Sequence, residues 1–126
     1  MSIVRFLATA LPLTLALVVG PAIAQNAPVL TTTEQLVALC GADPATAKGA
    51  ADLGFCQGYI VGVYHFTEEL ARGPKGKRTI CVPEPRPDMP TAVAAFRTWA
   101  AANPQYQSTP PVEGVLRWAA AVYPCG

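Results

Sequence analysis

Cys40, Cys56, Cys81 and Cys125 lie behind an apolar N-terminal run, and that combination constrains the fold more than any other feature of the chain. Arg5 gives the N-terminus a positive charge. Phe6 to Val19 is apolar apart from Thr9, Pro12 and Thr14, and Gly20-Pro21 breaks it. Ala22-Ile23-Ala24 then has the small-x-small form read by signal peptidase, so residues 1–24 are expected to be a signal peptide, with Gln25 opening the mature chain. The run is short for a membrane span, which needs ~20 apolar residues, so no membrane anchor is expected after leader cleavage. Export places the cysteines where thiols oxidise and stay oxidised.

Residues 25–126 are then of a length that fits one domain. A core of that size is modest, and disulfides are a common supplement. Four cysteines allow three pairings, and spacing alone does not choose among them. The preferred pairing is Cys40 with Cys56, joining a first helix to a second, and Cys81 with Cys125, tying a loose central segment to the C-terminus. A zinc site would supply ligands as close pairs such as C-x-x-C, and these separations are long. No metal and no cofactor are therefore expected.

The mature chain is expected to be all-α, a bundle of about four helices. Thr32 and Gln35 fit a capping box ahead of Leu36, Val37, Leu39 and Cys40, with Gly41 as the stop. Asp43-Pro44 caps a brief turn through Ala47, and Gly49 loosens the chain. Asp52 opens the longest helix, where Phe55, Tyr59, Val63, Phe66 and Leu70 recur with helical period. Gly54, Gly58 and Gly62 form a second line on that helix. Each costs about 1 kcal/mol of helix propensity against alanine, so three in register predict a groove for a closely packed neighbour. Asp88 caps a third helix with Met89, Val93, Phe96 and Ala100 inward, ended by Asn103-Pro104. Pro111 opens a fourth, with Val115, Trp118, Ala119 and Val122 facing the core.

Reactive chemistry is hard to find. His65, the single histidine, has Glu69 one turn later for an exposed ion pair, but no partner nucleophile is apparent. No serine has a G-x-S-x-G context. Bonded cysteines cannot serve as thiolates. Glu68 and Glu69 diverge on a helix, and no phosphate-cradling loop is present. No catalytic residue is expected, and binding is favoured over catalysis. Without Arg5 the nine basic residues become eight, matching the eight acidic ones, so no nucleic-acid partner is indicated. Two exposed surfaces stand out for a partner: the basic loop with Arg72, Lys75, Lys77 and Arg78, and the proline-rich connector with Tyr106.

In order along the chain come T-T-E-Q-L-V-A-L-C, C-Q-G-Y-I-V-G, C-V-P-E, A-A-N-P and W-A-A-A-V-Y-P-C. This order resembles the Rap/Tai group of type VI secretion amidase immunity proteins, from about Thr32 to Cys125. The resemblance implies a disulfide-bonded helical protein of the Gram-negative periplasm without catalytic residues. It also implies a toxin partner, a peptidoglycan-cleaving amidase whose active site is occluded, and a homodimer. The alternative of a different class is a periplasmic stress or chaperone-like helical protein with no toxin partner.

Overall fold

The computed structural model describes residues 28–126. The expected signal peptide lies outside the described residues. Helix α1 spans Thr33–Cys40, α2 Ala47–Arg72, α3 Met89–Ala102 and α4 Pro111–Val122, with a 3-10 turn at Pro104–Tyr106. The domain is all-α, as its periodicity predicts. Its sole β pairing among the described residues is an isolated bridge between Ile80 and Pro124.

Local chemistry explains the helix ends. Thr32 accepts from the Gln35 N–H while the Gln35 side chain accepts from the Thr32 N–H, completing the capping box. Asp88 accepts from the Thr91 N–H at 2.8 Å, and Pro90 sits in the first turn of α3, where its missing N–H costs nothing. Asn103 ends α3 and donates from its side chain to the Trp99 carbonyl.

The start of α2 differs from expectation. The helix begins at Ala47, not Asp52, because Thr46 is the cap and accepts from the Gly49 N–H at 3.0 Å. Gly49 does not loosen the chain. A Cβ there would come within 1.9 Å of the Asp43 carbonyl oxygen, so glycine is what lets the preceding turn fold back onto the helix. The inward face of α2 is also displaced from the predicted stripe. Cys56 and Ile60 are buried, whereas Phe66 and Leu70 are 62% and 59% exposed. Aromatic and leucine spacing marked a helix correctly but named the wrong side at its C-terminal end. Val122 of α4 is likewise exposed rather than inward.

Helices α1 and α4 each contact the other three and form the hub of the domain. Leu36, Phe96, Val115 and Trp118 fill the centre, with Phe96 edge-on to Trp118 at 5.4 Å. The N-terminus of α1 is fixed to the connector before α4. Thr33 donates from its backbone to the Thr109 carbonyl at 2.8 Å, and its buried hydroxyl lies 3.1–3.2 Å from Thr109 and Pro110 oxygens. This accounts for the one buried polar residue of the core.

The preferred disulfide pairing is the one formed. Cys40–Cys56 closes a loop of sequence separation 16, and Cys81–Cys125 one of 44. The second is flanked by the hydrogen bond from the Cys81 N–H to the Tyr123 carbonyl, so the C-terminus lies alongside the segment after the basic loop.

Candidate binding surface

The glycine row on α2 has no neighbour within the described chain. A Cβ added at Gly54, Gly58 or Gly62 would meet nothing within 4 Å. The expectation that another element of this chain packs into that row is therefore corrected. The helix is anchored from its opposite side by Cys56 and Ile60, which turns the glycines outward. Ala47, Ala51, Val61 and His65 share their face by helical spacing, and all are exposed. The result is a smooth, mostly apolar strip along a 26-residue helix, about 39 Å long at 1.5 Å per residue. Tyr59 lies off this strip. It is half-buried against the core and 6.3 Å from Phe55, and burial raises its phenol pKa.

The basic loop is partly neutralised. Arg72 pairs with Glu69, and Arg78 with Glu68 at 3.0 Å. Glu69 is thus engaged by Arg72, and no His65–Glu69 pair forms among the described residues. His65 instead packs edge-on against Tyr64 at 5.8 Å. Lys75 and Lys77 remain exposed. Tyr106 does not join the basic residues of that loop. It stacks on Trp99 with ring centres 5.7 Å apart, and the Arg117 guanidinium lies 4.5 Å from its ring centre. Arg117 is held in turn by Glu113 at 2.8 Å, a hydrogen bond that raises the guanidinium pKa. Tyr106 is thereby a half-buried element of a local stack rather than a free anchor.

One feature escaped the sequence reading. A cavity of about 150 Å³ opens beside α2 and α4, with Ile60, Val63, Ile80, Val115 and Trp118 in its wall. Tyr64 and Arg86 also line it, and Arg86 lies 5.4 Å from the centre of the Tyr64 ring. Arg86 bonds Glu84 at 3.1 Å, which is the leading cause of its raised pKa. No sequence signal marks this cavity, since its walls come from four separated segments.

Among the described residues, no group of three or more His, Cys, Asp or Glu side chains could hold a metal, and no cysteine is free. No described helix is long and apolar enough to cross a membrane. The fold and its surfaces define a small, doubly disulfide-bonded helical protein whose notable features are faces for contact. The chain matches the family described as Rap1a immunity proteins over residues 32–125, and it belongs to that family. The match takes in all four helices and all four cysteines. Searches of curated proteins and of solved structures return no match.

Proposed function

We propose that this protein is a periplasmic antagonist of a type VI secreted toxin, a peptidoglycan amidase, which it inhibits by covering the toxin's active site. The observation that carries the reading is membership of an immunity-protein family over nearly the whole of the described chain. Both disulfides support an oxidising compartment, reached through removal of residues 1–24. The protein acts by occupying a surface and takes no part in chemistry as an enzyme. The open strip on α2 supports a homodimer, because small residues let two helices approach closely and no described residue packs on the glycines.

The test is a periplasmic co-expression assay with a type VI amidase toxin from the same genome. Protection from lysis and recovery of a toxin–antagonist complex are expected. A deletion strain that stays resistant to its siblings, with no toxin recovered on the tagged protein, would refute the reading. For the dimer, sedimentation should show Gly58→Arg to be a monomer under conditions where the parent is dimeric.

A further inference from the structure

The outward face of α2 carries a second periodicity, distinct from the row of glycines. Ala47, Ala51, Gly54, Gly58, Val61 and His65 follow one another at alternating spacings of four and three, and all six are exposed. This is the 3.5-residue period of a coiled-coil seam, which keeps facing one partner along its whole length. Helical spacing inside this domain has no need of it, since Cys56 and Ile60 anchor α2 from the other side.

Two asymmetries along the seam identify what fits it. The first is size. Ala47, Ala51 and Gly54 precede Gly58, whereas Val61 and His65 follow it. In an antiparallel pair with its two-fold axis at Gly58, residues equally far from that centre oppose one another. His65 then meets Ala51 of the second copy, and Val61 falls between its Gly54 and Gly58. Each large side chain lands on small ones, as a knob requires a hole. A parallel pair would set His65 on His65 and Val61 on Val61, and leave voids at Gly54 and Ala51. The second asymmetry is charge. Around the start of α2, Asp43 and Asp52 outnumber Lys48 by one carboxylate. Around its end, Arg72, Lys75, Lys77 and Arg78 outnumber Glu68 and Glu69 by two cations. Antiparallel packing lays the basic end beside the acidic end and opposes the two helix dipoles, whereas parallel packing lays two basic ends together.

We infer that the occupant of this face is a second copy of the chain, packed antiparallel along α2 about a two-fold axis at Gly58, with Val61 and His65 of each copy seated over Gly54 and Ala51 of the other. The inference rests on the homodimer proposed above and adds its direction and register.

The test is thiol cross-linking of the exported, disulfide-bonded protein. Ala51→Cys and His65→Cys place single thiols on exposed positions, so neither variant disturbs the core. A short bifunctional alkylating reagent joins neighbouring thiols and leaves the native disulfides bonded, and its thioether product survives reductant on a denaturing gel. In the antiparallel register two copies of position 65 lie about 21 Å apart, fourteen residues at 1.5 Å each. Either variant alone should therefore stay uncross-linked, and a mixture of the two, one carrying a tag, should give the mixed dimer. A second measurement uses size. Ala51→Phe should weaken the dimer about tenfold by sedimentation, and adding His65→Ala should recover at least threefold of that loss, because the two positions meet across the interface. Cross-linking of either variant with itself would overturn the direction while leaving the homodimer standing. A dimer by sedimentation whose mixture gives no cross-link, or in which His65→Ala brings no recovery, would overturn the register. A parent that is monomeric at every concentration would remove the homodimer and this arrangement together.

Discussion

Two glycines, both inside helices, should respond to the same substitution with opposite signs. Gly114 lies in the first turns of α4, directly against Thr33 of α1. A Cβ there would stand 2.3 Å from the Thr33 hydroxyl oxygen and 2.4 Å from its methyl carbon. Neither can retreat easily, because the hydroxyl is held by Thr109 and Pro110 and the residue is 1% exposed. Gly114→Ala therefore forces α1 and α4 apart at the hub of the domain, an overpacking cost of about 1–3 kcal/mol. At about 4–8 °C per kcal/mol for a domain near this size, Tm should fall by roughly 5–20 °C. Gly58→Ala meets open space and gains helix propensity of up to about 1 kcal/mol, so Tm should rise by a few degrees. Both are read by circular-dichroism melts at a concentration where sedimentation shows monomer. The control is Thr33→Ala combined with Gly114→Ala, which removes the two closest clashing atoms and leaves only the residue 33 Cβ, at 2.9 Å. It should be more stable than the sum of the two single effects by at least about 1 kcal/mol. A neutral or stabilised Gly114→Ala, or strict additivity in the double variant, would refute the packing argument.

The disulfides should be unequal. By loop closure, replacing Cys81 and Cys125 with serine should cost about 4 kcal/mol and replacing Cys40 and Cys56 about 3, measured by urea unfolding of the oxidised proteins. Asp88 should add to stability in a pH-dependent way. Its bonds from the Thr91 side chain and backbone hold its carboxyl below the ordinary value of 3.8. A group depressed on folding stabilises above its unfolded pKa and loses that contribution as pH falls through the folded value. The parent should therefore lose stability more steeply below about pH 4 than Asp88→Ala does. Parallel acid limbs in the two proteins would count against this cap.

What the sequence revealed and what it hid follow from the range of the interactions. Helix caps are local, so Thr32 with Gln35 and Asp88 with Thr91 could be read directly. The start of α2 could not, since it depends on Gly49 admitting the Asp43 carbonyl, a contact made only once the turn is folded. Periodicity along α2 established a helix but not its inward side. Phe66 and Leu70 carry the stronger hydrophobic signal, yet the disulfide at Cys56 fixes the rotation and leaves them outside. The glycine row was visible as a pattern of close approach, and among the described residues nothing packs against it. Charges in the basic loop were legible, while their pairing with Glu68 and Glu69 was not. The cavity was invisible because its wall gathers residues from α2, the segment after the basic loop, α3 and α4.

The two disulfide loops, 40–56 and 81–125, follow one another in sequence without overlap. No covalent bridge therefore spans residues 57–80 other than the backbone itself. The exposed stretch from Arg72 to Arg78 lies within that interval and presents four basic residues to a trypsin-like protease. A single cut there divides the protein into two separately closed rings. They would stay together only through non-covalent contacts of α1 and α2 with α3 and α4, and would part on a denaturing gel without any reductant. A protein stapled twice is in this respect as breakable as one with no staples at all.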